Sequence, residues 1–187
     1  EIAVRALDSL YADHGRWAEL AKLIERRVKD ASGDQEVRLK LKLATILETR
    51  LSDAKSALGH LEEVLAAEPN NQEAIGLVEK TLDVIELRPR AALLLEGVYA
   101  DRPDVRDLLR VLEVRLETTS EEAERRELTA RVAELTFDKI GNDHASLDAY
   151  ARLVPLAPED TTARQRLIAL GQKLTLRSKV ADVLDVA

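Results

Sequence analysis

Residues 37–51 read VRLKLKLATILETRL, and their apolar side chains recur at helical spacing along two stripes instead of one. One stripe consists of Val37, Leu41, Ala44 and Leu51, and the other of Leu39, Leu43 and Ile46. A helix with two apolar stripes must be covered on two sides. The stretch therefore predicts a helix over 34–51 that packs between its hairpin partner and the next hairpin. Its remaining polar stripe is formed by Arg38, Lys42, Thr45 and Thr49.

The pattern occurs twice along the chain. Tyr11, Ala12 and Asp13 recur 88 positions later as Tyr99, Ala100 and Asp101. After one inserted residue, expected near 117–126, the offset becomes 89 and matches Leu39, Ala44, Leu58 and Pro69 to Leu128, Ala133, Leu147 and Pro158. Such a period indicates a repeat array. We expect a first module over 1–88 and a second over 89–187 that includes the start of a third, stacked as one continuous solenoid, with residues 3–87 superposing on 91–176.

Helix start and stop signals divide the chain into about eleven helices, and no alternating strand pattern persists. The helices are predicted near 2–13, 16–31, 34–51, 53–67, 71–85, 89–101, 104–119, 121–140, 143–156, 160–174 and 177–187. The linkers are short, so neighbouring helices must turn back on each other. Gly15 and Gly141 lie where a left-handed helix terminator is needed. Capping boxes are predicted at Ser32 with Gln35, Asn70 with Glu73 and Thr119 with Glu122.

The predicted core is aliphatic, because few residues of the chain are aromatic. The side chains expected to be buried are Leu43, Ala44, Ile46, Leu58 and Leu61 in the first module and Val132, Ala133, Leu135, Leu147 and Tyr150 in the second. Each module has an odd number of helices, so strict up-and-down alternation must break between modules. Proline disfavours helical geometry in the residue before it. We therefore expect Arg88 and Pro89 to end one helix and begin another, at a wide angle.

Composition excludes several kinds of site. The chain contains no cysteine, which removes disulfides, thiolate nucleophiles and cysteine-based metal sites. A net charge of −7 disfavours nucleic acid or an anionic membrane as a partner. The longest apolar run, residues 91–95, is too short for membrane insertion. The chain starts without Met and stops within a helical pattern, so we expect a fragment that contacts neighbouring repeats of a longer chain. The cellular compartment does not follow from these residues.

Residues 147–158, LDAYARLVPLAP, resemble the second helix and terminal proline of a tetratricopeptide repeat. That family places a small residue, an aromatic and a proline at positions held here by Ser146, Tyr150 and Pro158, and in the first module by Ala57, Leu61 and Pro69. The family's usual glycine in the first helix is replaced by Thr45 and Glu134. The length of the module also departs from a multiple of the usual unit of about 34 residues.

The resemblance implies an all-α, right-handed superhelical α-solenoid of tetratricopeptide-like hairpins. Proteins of this superfamily bind a peptide or another domain on the concave face, which is lined mainly by the first helix of each hairpin. By that resemblance, the contact residues are Arg38, Lys42, Thr45 and Thr49 in the first module and Arg131, Glu134 and Asp138 in the second.

No constellation in the sequence indicates catalysis, a metal or a cofactor. His14, His60 and His144 are far apart and occupy non-equivalent places in the module. All glycines are isolated, which excludes a phosphate-cradling loop. We therefore expect a scaffold, not an enzyme, that binds another protein or peptide. The alternative is an RNA-binding helical repeat that reads one base per repeat. Against that alternative stand the acidic net charge, the scarcity of stacking aromatics and the absence of a basic stripe.

Overall fold

A computed structural model of the chain describes residues 2–186, and the regular secondary structure of these residues is helical, with no strand. The helices are α1 (Ile2–Asp13), α2 (Trp17–Asp30), α3 (Asp34–Arg50), α4 (Ala54–Ala67), α5 (Gln72–Thr81), α6 (Arg88–Tyr99), α7 (Arg106–Thr118), α8 (Glu122–Leu135), α9 (Asp143–Leu153), α10 (Thr161–Lys173) and α11 (Arg177–Val186). A π-helical segment, Thr136–Ile140, continues α8 directly. The predicted all-α class is confirmed.

The chain forms two compact units, residues 1–98 and residues 99–187. In the first, α2 packs on α1 and α3, and α4 packs on α3 and α5. In the second, α8 packs on α7 and α9, and α10 packs on α9 and α11. From α1 to α5 and from α7 to α11, each helix thus packs on the next one in sequence, as short linkers require. The division into modules at 88/89 concerns the sequence repeat and stays a prediction.

Helix N-caps recur at the sequence offset of the repeat. The side chains of Asp53 and Asn142, and those of Asn71 and Asp160, cap helices at positions 89 residues apart. Each accepts a hydrogen bond from the backbone N–H three residues further on, at 2.9–3.1 Å. Such caps satisfy amides that the first turn of a helix leaves unpaired. The starts of α4, α5 and α6 therefore recur 89 residues later as the starts of α9, α10 and α11.

Two glycines in the left-handed backbone conformation end helices where the sequence predicts such terminators. Gly15 has a φ of 65° and Gly141 a φ of 66°, so both expected terminators are confirmed. Ser52, which lies 89 positions before Gly141, has a φ of 55°. The same backbone turn therefore follows α3 and the π segment, although only the second copy has the residue that adopts it without steric cost.

The three predicted capping boxes are wrong. Helix α3 begins after Gly33, whose positive φ turns the chain, and has no side-chain cap. Asn71, and not Asn70, caps α5. At α8 the Thr119 hydroxyl accepts a hydrogen bond from the N–H of Glu121 at 3.3 Å, outside the helix. In each case the helix starts one or more residues away from the position that the box requires.

The break between α5 and α6 lies earlier than expected. Helix α5 ends at Thr81, residues 82–87 form successive turns, and α6 begins at Arg88. The Arg88 guanidinium donates a 2.8 Å hydrogen bond to the carbonyl oxygen of Leu82, which ties the connection to the helix start. Pro89 lies in the first turn of α6, where a missing N–H costs nothing. The expectation that a helix begins at Arg88 and Pro89 is confirmed, whereas the expectation that the preceding helix extends to this junction is wrong.

The predicted core is buried except at one position. Nine of the ten side chains expected there are buried, and Leu135 is the exception, being half-buried. Leu135 immediately precedes the π segment, where Thr136 takes the buried position instead and bonds the carbonyl oxygen of Val132 at 2.7 Å. Leu51, assigned to an apolar stripe, is exposed because α3 ends at Arg50.

Candidate binding surfaces

Most of the polar side chains in the stripe predicted in unit 1 bond to other groups of the same unit. Lys42 donates to the Asp8 carboxylate at 2.7 Å, and Arg27 pairs with the same carboxylate at 3.1 Å. The hydroxyls of Thr45 and Thr49 donate to carbonyl oxygens one turn earlier in α3, at 2.8 and 2.7 Å. Arg38 is exposed and makes no hydrogen bond or ion pair within residues 2–186. Of the four predicted contact residues in this unit, Arg38 is therefore the one whose polar group is not engaged by another described residue.

The stripe predicted in unit 2 lies beside a stacked cation. Glu134 and Asp138 are exposed and Arg131 is half-buried. The two carboxylates lie close enough to Arg166 of α10 to stabilise its charge. A hydrogen bond that the guanidinium donates to the Tyr150 hydroxyl is the largest cause that raises the pKa of Arg166. This part of the predicted surface is therefore engaged with its own unit.

The guanidinium of Arg166 lies against two aromatic rings. The Arg166 guanidinium lies 4.8 Å from the centre of the Phe137 ring and 5.7 Å from that of Tyr150. The two rings meet edge to face, with their centres 6.0 Å apart. Tyr150 is buried, and its burial raises the pKa of its hydroxyl. The aromatic residue of the motif in 147–158 therefore packs inside the unit.

A groove opens on the other side of α8 in unit 2. It lies between α7, α8 with its π segment, and α9, and its volume is about 540 Å³. We use the word floor for its uncharged lining residues, Leu109, Val132, Thr136, Ile140, Ala145 and Ala149, and the word rim for its charged ones, Arg106, Arg110, Glu113, Asp148 and Arg152. We call this the unit 2 groove. It combines an apolar floor with charged groups, as binding sites commonly do.

The unit 2 groove and the predicted stripe use different faces of α8. Thr136 lies in the groove, whereas Glu134 belongs to the stripe. Side chains two residues apart in a helix are rotated by about 200° around its axis, so Glu134 and Thr136 point to nearly opposite sides. Sequence reasoning missed the groove, because only the packing of α7 and α9 on α8 brings its lining residues together.

Ion pairs order the rim of the unit 2 groove. Arg152 donates to both carboxylate oxygens of Glu113, at 2.9 and 2.6 Å, and this pairing raises the pKa of Arg152. Asp148 accepts from Lys179 at 2.6 Å. Both acidic groups of the rim are therefore matched by basic groups.

A groove of about 500 Å³ lies between the equivalent helices of unit 1, α2, α3 and α4, and we call it the unit 1 groove. Four of its lining residues have equivalents in the unit 2 groove: Glu25 with Glu113, Leu43 with Val132, His60 with Ala149 and Glu63 with Arg152. The other five have no equivalent there, so the two grooves overlap only in part.

Charge distinguishes the unit 1 groove. Lys40 is paired with Glu36 and with Glu63, the latter at 2.6 Å, and the two carboxylates raise the pKa of Lys40. Nδ1 of His60 is shielded from solvent and has no hydrogen-bond partner among the described residues. Three glutamates face two lysines, Lys29 and Lys40, along this groove. The residues that line the unit 1 groove therefore carry a net negative charge, whereas those of the unit 2 groove carry a net positive charge.

Within residues 2–186, no cluster of three or more His, Cys, Asp or Glu side chains could hold a metal ion. The same part of the chain includes no helix with the length and apolar character needed to cross a membrane. No protein-family model matches the chain, and no curated protein matches it in sequence.

Proposed function

We propose that this chain is a protein-binding helical repeat and not an enzyme. The observation that carries the proposal is that each unit has a groove between the same three helices of the repeat, with four equivalent lining positions. Repeat proteins offer a binding surface of this kind once in each module. The residues around the two grooves differ in charge, which suits recognition of different parts of a protein partner.

The charge of the chain favours protein over RNA. Single-stranded RNA is bound by basic grooves with aromatic side chains on which bases stack. The chain carries a net charge of −7, and Phe137 and Tyr150 contact each other and Arg166. The unit 1 groove, with three glutamates, would repel phosphates.

The proposal includes the arrangement that the resemblance implies, namely a right-handed superhelical solenoid of tetratricopeptide-like hairpins. Support comes from all-helical units whose consecutive helices pack together, and from the buried small residues Ala57 and Ser146 of the motif. Small-angle X-ray scattering of the whole chain tests it. A maximum dimension no larger than that of a compact globule of this length would contradict the solenoid.

Photo-crosslinking tests the binding function directly. A photoreactive amino acid is placed at position 140 in the unit 2 groove, at 29 in the unit 1 groove, or at the exposed control position Lys55 of α4. We expect protein adducts from cell extract at 140 or 29 and few at 55. RNA adducts in place of protein adducts would support the alternative function. Equal labelling at all three positions would contradict binding in the grooves.

A further inference from the structure

We infer that the unit 2 groove binds a segment of another protein that presents an aliphatic side chain flanked by carboxylates. This inference rests on the proposed function and specifies the partner's chemistry for one groove. The groove lies on the face of α8 opposite to Glu134 and Asp138, so it is separate from the surface that the sequence resemblance implies.

The rim carries more basic than acidic groups. Three arginines line the groove against two acidic residues, although the chain as a whole carries a net charge of −7. Glu113 is paired with Arg152 and Asp148 with Lys179. Arg106 lies 3.8 Å from Asp104 and Arg110 lies 3.9 Å from Asp107, but all four side chains are exposed, so these two ion pairs are weak. The lining of the groove therefore keeps an excess of positive charge.

Arg106 and Arg110 form one edge of the groove. They are four residues apart in α7 and thus lie on the same face of that helix. Arg152 forms the opposite edge from α9 and uses two of its five N–H donors on Glu113. Arginine donors on two edges suit carboxylates on both sides of a central side chain, because the guanidinium fork matches carboxylate geometry.

The fold does not require two of the three arginines. At the equivalent places, unit 1 has Ala18 for Arg106 and Glu63 for Arg152, whereas Lys22 keeps the basic charge of Arg110. The helices α2 and α4 nevertheless pack on α3 as α7 and α9 pack on α8. A bridge such as that between Glu113 and Arg152 cannot form between Glu25 and Glu63. The positive charges at 106 and 152 are therefore properties of this groove and not of the repeat.

The floor of the groove is apolar and partly open to solvent. Ile140 is 39% exposed and Leu109 is half-buried, and both line the groove beside Ala145 and Ala149. Two small alanines leave room above the floor that an aliphatic side chain can fill. The floor is completed by the π segment, a geometry that occurs frequently at functional sites. An aliphatic anchor between carboxylates meets both the floor and the rim.

The test is display selection on the full chain with a random peptide library as the probe. We expect enrichment of peptides with Leu, Ile or Val flanked by Asp or Glu. A synthetic peptide from the selection should bind about tenfold more weakly to the double variant Arg106→Glu, Arg110→Glu, because like charges replace attraction. Ile140→Ser should also weaken binding, and high salt should do so for the wild type.

Matched control variants distinguish a loss of binding contacts from a loss of folded structure. Lys22→Glu changes the unit 1 equivalent of Arg110 and should leave binding unchanged, and Arg106→Lys should retain most of it. Circular dichroism and thermal unfolding of every variant check the fold. Binding that survives both Arg106→Glu, Arg110→Glu and Ile140→Ser would overturn the inference, as would selection of basic peptides.

Other outcomes separate this inference from the general function. Peptides whose binding is lost with changes in the unit 1 groove alone would overturn the inference and leave the protein-binding function standing. A selection that yields no binder at all, together with no protein adducts in the crosslinking experiment, would contradict both. Sedimentation at high protein concentration tests whether a second copy of this chain occupies the groove. Self-association that the arginine variants abolish would contradict the inference that the partner is a different protein.

Discussion

Gly171 offers the sharpest test of the packing in unit 2. It is buried in α10 against α11, and a Cβ atom at this position would lie 2.3 Å from Cγ2 and 3.3 Å from Cβ of Val180. Carbon atoms in favourable contact are about 3.5–4.0 Å apart. The overlap in Gly171→Ala therefore exceeds an ångström. Because valine has a restricted χ1 angle, its methyl group cannot rotate away at low cost.

Two opposing contributions determine the free energy of unfolding of this variant. Alanine in place of glycine within a helix stabilises by about 1 kcal/mol. Overpacking of a buried contact costs about 1–3 kcal/mol. We expect Gly171→Ala to be destabilised by about 1 kcal/mol in net terms. In Gly76→Ala, the matched control in α5, an added Cβ meets no atom within 4 Å, so this variant should be stabilised.

Urea unfolding followed by far-ultraviolet circular dichroism measures both variants. A double-mutant cycle with Val180→Ala adds a second check, since removing the valine methyl groups should turn Gly171→Ala from destabilising to stabilising. The reasoning is refuted if Gly171→Ala stabilises the chain as much as Gly76→Ala does. That result would mean that α10 and α11 do not approach each other so closely.

Three further predictions concern the caps and the core. Asp53→Asn copies the cap that Asn142 provides and removes its titration. The N–H of Ser56 lowers the pKa of Asp53, so the wild-type cap contributes stability above the unfolded-state pKa and loses it as the pH falls through the lower folded-state pKa. Between neutral and acidic pH, urea unfolding should therefore show that the variant loses about 1 kcal/mol less unfolding free energy than the wild type does. Ser52→Gly should raise the unfolding free energy by about 0.5–1 kcal/mol, because φ is 55° there, and a loss of stability would contradict the turn shared with Gly141. Ala44→Leu should lower it by about 1–3 kcal/mol, because Ala44 is fully buried, and a neutral result in chemical denaturation would place it at the surface.

Features that depend on local spacing were predicted well. The two apolar stripes of residues 37–51 predicted a helix, and Leu39, Leu43 and Ile46 are buried. The left-handed turns at Gly15 and Gly141 were also predicted, because glycine avoids the steric cost of that conformation. Exact helix ends were less predictable. Whether Asn70 or Asn71 caps α5 depends on small differences in local backbone geometry that the residue types do not resolve.

The candidate binding residues show where local reasoning stops. Lys42 has the spacing of an accessible contact residue, but Asp8 approaches from α1, which is distant in sequence, and pairs with it. The unit 2 groove likewise depends on how α7 and α9 flank α8, because that placement leaves Ile140 partly open and brings Arg152 to Glu113.

Residue spacing alone predicted the helical class, the repeat spacing and most of the core, since periodicity decides which side of a helix is apolar. Residue spacing did not predict which polar groups bond to each other or which face of α8 opens into a groove. Those outcomes depend on the rotation and separation of packed helices, and these follow from side-chain packing between segments that lie far apart in the chain.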